Sequence, residues 1–221
     1  MKKTILVLAF AMLTVFGAFA QDNGKTYLEP TQELRIGYAG ALKSGSTNVL
    51  GGLDFGINIL EMGVRPYETG RISLGVEFNY NYFNTADGYY FASAAHKTAV
   101  VPSIFRQIKS ANASVMYFGL PLNFAQTIGN NMEFSIGATA KFNLNADTFV
   151  RYKNDTDDYC TMSVEGIRTR RFSFDAHIAF TYDGLGVYAS YSPMSVFEPG
   201  FGPSFGYFTV GAIFRMDAID K

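Results

Sequence analysis

Residues 171–191 constrain what this chain can form more than any other stretch. Phe172, Phe174, Ala176, Ile178, Phe180 and Tyr182 alternate with Arg171, Ser173, Asp175, His177, Ala179 and Thr181; after Asp183-Gly184, Leu185, Val187, Ala189 and Tyr191 resume the alternation. A period of two is the mark of a strand with two unlike faces, and Asp-Gly between two such runs marks a tight hairpin. Each arm is about ten residues, the length a tilted strand needs to cross a bilayer.

The same pattern recurs. Apolar parity sets are Leu34, Ile36 and Tyr38; Leu53, Phe55, Ile57 and Ile59; Ile72, Leu74, Val76, Phe78, Tyr80 and Tyr82; and Met116, Phe118, Leu120, Leu122 and Phe124. Met132, Phe134, Ile136, Ala138, Ala140 and Phe142 form another, and Phe208, Val210, Ala212 and Phe214 the last. With the two hairpin arms this predicts eight strands and an all-β fold, an eight-stranded antiparallel up-and-down transmembrane β-barrel over residues 33–215. Pro121 interrupts its strand and implies a bulge or an unpaired position, because proline donates nothing to the ladder. Residues 84–111, 146–169 and 192–203 are expected as loops, with a short helical turn conceivable at 94–97; residues 61–70 form a longer connection and 128–131 a short turn.

The N-terminus sets the compartment. Lys2 and Lys3 precede an apolar run from Ile5 to Phe16, and Ala18-Phe19-Ala20 fits a signal-peptidase site, so residues 1–20 are read as a cleaved export signal. Residues 21–32 then form an N-terminal periplasmic segment and 216–221 a C-terminal periplasmic tail. Charged residues are 17% of the chain, against roughly 25% in soluble domains, and aromatic residues reach 16%. That is little charge for a water-facing surface. A formal net charge of -1 argues against nucleic acid as a partner. Cys160 is the single cysteine and reads as a free thiol in a loop, while His96 and His177 are too far apart in sequence to suggest a metal site. No cofactor is expected.

Alternation alone does not say which face points inward. Gly37, Gly56, Gly75, Gly119, Gly137, Gly186 and Gly211 all share the polar parity, as small residues would in a crowded narrow lumen. Charges of both signs also fall there: Arg35, Lys141 and Arg171 against Asp54, Glu77, Glu133 and Asp175, the composition of a buried network with His177 among it. The longest connections alternate with the shortest, so the long ones gather at one end and outside the cell. Aromatic residues near strand ends fit interfacial girdles, Tyr38, Tyr80, Tyr82, Phe142, Phe172 and Tyr191 towards the outside and Phe124, Phe134, Tyr182 and Phe214 towards the periplasm.

The export signal, Tyr117-Phe118-Gly119-Leu120-Pro121-Leu122, residues 134–142 and the last strand ending at Phe214 resemble the small outer-membrane β-barrel families of the OmpA/OmpX-like and PorT-like kind. The resemblance implies the outer membrane of a Gram-negative bacterium, lipid contact, and insertion by the barrel-assembly machinery, for which Phe214 resembles the terminal aromatic signal, here followed by seven residues. The expected role is structural or surface-binding and non-enzymatic, with a secretion or envelope link as a further expectation and Tyr89, Tyr90 and Phe91 as candidate contacts for a surface partner. A soluble lipocalin-like barrel holding an apolar ligand is one alternative. A lipid-modifying enzyme built on Ser173, Asp175 and His177 is another, and a pore is disfavoured because eight strands leave a lumen filled by side chains.

Overall fold

The computed structural model describes residues 25–29, 33–43, 47–94, 97–129, 131–154 and 158–215. The expected export signal, the tail at 216–221 and His96 lie outside the described residues. Strands among the described residues are β1 (Lys25–Glu29), β2 (Glu33–Lys43), β3 (Gly52–Tyr67), β4 (Gly70–Asn84), β5 (Tyr89–Ala94), β6 (Lys97–Pro102), β7 (Gln107–Ile128), β8 (Met132–Lys153), β9 (Tyr159–Glu165), β10 (Phe172–Tyr182), β11 (Leu185–Ser192) and β12 (Phe205–Arg215).

Eight of these close on themselves. Going round, β2 pairs with β3, then β4, β7, β8, β10, β11 and β12, and β12 returns to β2 from Arg215 opposite Glu33 to Phe205 opposite Lys43. Every pairing is antiparallel, so no edge within the barrel wall is left open. At one end the connections are tight: 68–69, 129–131 and 183–184. Asp183 and Gly184 both have positive φ, 48° and 79°, the conformation that a two-residue hairpin with matching twist requires. All four long connections leave from the other end.

Burial shows which way the two parities face. Along β10, Ser173, Asp175, His177, Ala179 and Thr181 are buried, while Phe172, Phe174, Ile178, Phe180 and Tyr182 are exposed. The same inversion runs round the barrel, with Ile36, Leu53, Phe55, Ile57, Phe78, Leu122, Phe134, Ile136, Val187 and Val210 all open on the outer surface. An apolar belt that encircles the molecule is far larger than any patch a water-soluble monomer tolerates, and hydrocarbon is the solvent that suits it. The apolar-inward, lipocalin-like alternative is therefore overturned: this lumen is lined by charged and amide side chains.

The lumen glycines make room for long side chains crossing over them. Tyr188 on β11 lies across Gly211 and Gly37, its register neighbours on β12 and β2, to donate to Asp54 Oδ2 on β3 at 2.6 Å. A Cβ on Gly37 would sit 2.6 Å from that hydroxyl. Likewise Glu77 lies over Gly119 and His177 over Gly137. Gly37→Val is accordingly expected to cost roughly 1–3 kcal/mol by overpacking, read as a lower melting temperature of the folded gel band; an unchanged melting temperature would show that Tyr188 has another route to Asp54.

Several expected loops are strands. The long connection after β4 carries the β5–β6 hairpin, with Ala94 and Lys97 paired at its tip and no helical turn described, and β7 already begins at Gln107. The 146–169 segment is the outer half of β8 paired with β9. At the opposite end β3 and β4 pair across the expected 61–70 connection, leaving a two-residue turn, and β1 runs beside β3 from Glu29 opposite Glu61 to Lys25 opposite Arg65. Pro121 is unpaired on its β4 side, where the ladder skips from Leu74–Leu122 to Glu77–Gly119 without changing register.

Candidate functional site

The lumen is filled in three storeys. Nearest the tight turns is a ladder of alternating charge. Arg71 bridges Glu61 (3.1 Å) and Glu133 (2.9 Å); Arg215 joins Glu133 to Glu33, the latter at 2.7 Å; Arg35 spans Glu33 (3.8 Å) and Glu77. Each buried charge thus has an opposite neighbour, the condition for keeping ions out of water at tolerable cost. In the middle storey Asp54 accepts from Tyr188 and Asn81, and Lys141 pairs with Asp175, which also accepts from Ser192. Tyr207 ties the two halves, accepting from Lys141 at 3.1 Å and donating to Asn81 at 3.2 Å.

The third storey, at the mouth, is apolar. Phe83 packs edge-on against Phe205 and Tyr207, each at 5.2 Å between ring centroids, and Phe197 from the 193–204 connection and Phe91 from β5 complete the plug. Cavities left among the polar groups measure about 20 and 10 Å³, room for a water or two. Buried polar and aromatic side chains thus fill the barrel from the tight turns to the mouth.

Arg35, Asp54, Glu77, Lys141, Asp175 and His177 all stand in the lumen, with Glu133 half-buried at its end. Arg171 does not. It precedes β10, where the strand parity no longer applies, and is exposed on the outside. The expected lumen network also left out Glu33 and Arg71, one step before the recognised alternation, and Arg215, Tyr188 and Tyr207 within it. Glu61 was hidden for a different reason: a bulge between Asn58 and Leu60 switches the inward parity of β3.

The Ser173, Asp175 and His177 set forms no catalytic relay. His177 Nε2 lies 2.6 Å from Asn123 Oδ1 and Nδ1 3.4 Å from Thr139 Oγ1, while Asp175 is taken by Lys141 and Ser192. Tyr89, Tyr90 and Phe91 are not an exposed binding trio either. Phe91 is buried in the mouth plug, and Tyr90 packs 5.1 Å from Phe105, which stacks on Tyr152 at 3.8 Å.

What does face outward is the far end of β7, β8 and β9. A bulge between Ile108 and Ser110 falls at Lys109, and the Lys109 Nζ, Arg151 guanidinium and Lys153 Nζ stand 5.1, 5.0 and 5.4 Å from the centroid of the exposed Tyr159 ring. Cys160, paired with Tyr152, is half-buried beside it in a strand rather than a loop.

No family model matches the sequence, and no curated protein matches it. Similar solved structures include the attachment invasion locus protein Ail of Yersinia pestis in complex with the heparin analogue sucrose octasulfate, at 13% identity and TM-score 0.37, covering 85% of this chain and 99% of that one. Ail without that ligand matches with TM-score 0.34 at the same identity and coverage. A triple mutant of the Rhodopseudomonas blastica porin matches at 8% identity and TM-score 0.23, covering 86% of this chain and 100% of the porin. Strand pairing and burial carry the assignment by themselves: the chain is a closed, eight-stranded, membrane-spanning β-barrel with a filled lumen.

Proposed function

We propose that this is an outer-membrane barrel of a Gram-negative cell that acts as a rigid, non-enzymatic scaffold and binds a surface partner through its long-loop end. One observation carries this reading. β7 and β8 are each 22 residues long, against 11 in β2, β10 and β12. A membrane strand needs only about 9–11, so the outer halves stand roughly 30 Å beyond the bilayer at about 3.3 Å per residue. The β5–β6 hairpin, through Tyr90 and Val101, and Phe105 of the connection that follows it pack on one face of this extension, which stiffens it. Its other face offers Tyr159 and its three cations, an aromatic and basic surface of the kind that anchors interfaces.

The filled lumen supports the scaffold role over transport, and the occupied partners of His177 and Asp175 support it over catalysis. An OmpA/OmpX-like or PorT-like affiliation and a link to secretion fit this architecture as finer readings. The test is topological. In a Cys160→Ser background, Thr161→Cys on β9 is expected to react with a membrane-impermeant maleimide on intact cells, and Glu68→Cys in a tight turn only after the outer membrane is opened. The reverse labelling pattern would turn the extension towards the periplasm and sink the surface role.

A further inference from the structure

One edge of β8 serves two strands in succession: β10 pairs with residues 132–142 and β9 with 147–153. Between them the edge meets the chain crossing at 166–171, tied by Ile167 N to Ala146 O at 3.1 Å and Asn143 N to Arg171 O at 3.0 Å. On the other edge β7 pairs Met116 with Asn145 and Tyr117 with Asn143, so Leu144 is bulged out and more than half exposed. The resulting seam holds a pocket of about 220 Å³ whose lining includes Asn143, Leu144, Arg168, Thr169, Arg171 and Glu198.

Three independent features make this more than a gap. It opens at the upper boundary of the membrane-facing surface, directly beyond the Phe142 and Phe172 rings, which touch at 5.4 Å on the outer face. It gathers cations: Arg171 is exposed and forms no ion pair among the described residues, and Arg168, stacked 4.2 Å over Phe201, reaches Glu198 only at 3.8 Å. And Asn143 Oδ1 is buried with no hydrogen-bond partner among the described residues. A buried acceptor without a partner is costly and calls for a donor. An arginine that merely snorkels to generic headgroups needs neither the pocket nor the orphaned amide.

We propose that this seam binds the headgroup of a phosphorylated glycolipid from the adjoining leaflet, an inference that rests on the membrane-spanning reading. Arg171 and Arg168 take the phosphate, for which the planar guanidinium fork is suited. Asn143 accepts from a headgroup hydroxyl or amide, and Leu144, Phe142 and Phe172 meet the acyl chains. Two arginines against Glu198 leave a net charge of +1 in the lining, which suits one phosphate group rather than a polyanion.

The test uses the full-length protein in detergent micelles, followed by native mass spectrometry with diphosphorylated lipid A, the same lipid dephosphorylated, and inorganic phosphate. Retention of the phosphorylated lipid is expected to exceed that of the dephosphorylated form roughly tenfold or more, the scale of one charge-assisted contact. Arg171→Ala should abolish that preference while the unboiled gel shift stays as in the parent, and Arg171→Lys should keep part of it. Equal retention of both lipids, or an Arg171→Ala variant that binds as the parent does, overturns the proposal. Displacement of the lipid by millimolar inorganic phosphate overturns the lipid source and leaves a soluble-phosphate site. Loss of the gel shift in the parent itself would instead reject the membrane reading, and this proposal with it.

Discussion

Arg35→Met is expected to destabilise the folded barrel by about 3–5 kcal/mol, the usual cost of removing one partner from a buried ion pair. Glu77 is only 1% exposed, and its carboxylate is held by Arg35 and by the Asn79 amide. It also lies over Gly119, where a Cβ would meet its Cγ at 2.6 Å, so it has no room to swing towards water. Without the guanidinium the carboxylate stays buried and unpaired. Arg35 further touches Glu33 and stands 5.8 Å from the centre of the Tyr188 ring, so the ladder and the middle storey both loosen. The measurement is the urea concentration at which the fast-migrating unboiled band disappears after refolding into lipid vesicles. The double variant Arg35→Met, Glu77→Met removes both charges and is expected to recover most of the loss. A single variant as stable as the parent would mean that the carboxylate finds another partner and that the ladder is not what holds this end of the lumen.

The eight wall strands and the direction of their faces were legible because the alternation holds over three to six apolar positions in every strand, and because seven glycines, one in each of seven strands, fell on the polar parity. Parity reasoning fails where a strand ends or bulges. Arg171 shares the spacing of Ser173 and Asp175 but sits one residue before the ladder of β10 begins, so its side chain goes to the seam and not to the lumen. Glu61 fails the other way, carried inward by a bulge that sequence spacing does not reveal. The extension was illegible for a physical reason too: beyond the bilayer its outer face meets water, so Asp147, Arg151 and Lys153 replace the apolar set and the membrane-strand signature disappears. Phe91, Phe197 and Phe205 come from three separated segments. Nothing local in the sequence distinguishes aromatic residues that plug a mouth from those that wait for a partner.

Ile136→Arg separates a membrane barrel from a soluble one by the largest margin available on its outer surface. Ile136 lies near the middle of the barrel-wall part of β8, between Phe124 on β7 and Ile178 on β10, and is 50% exposed. In water, a half-exposed isoleucine replaced by arginine changes stability by no more than about 0.5 kcal/mol. At the midplane of a bilayer the same change costs about 2–4 kcal/mol, because the guanidinium either enters hydrocarbon or drags water and headgroups inward. The penalty should fall with depth. Tyr182→Arg, at the tight-turn end of β10 beside Asp183-Gly184, is expected to cost only about 0–1 kcal/mol, since its charge reaches the headgroups. Urea titrations of both variants in vesicles therefore give a depth profile as well as a magnitude. Equal and small effects at Ile136 and Tyr182 would place water on this face and refute the bilayer; a large effect at Ile136 alone locates the hydrocarbon slab along the strands, and with it the height at which Arg171 and the seam pocket meet the lipid headgroups.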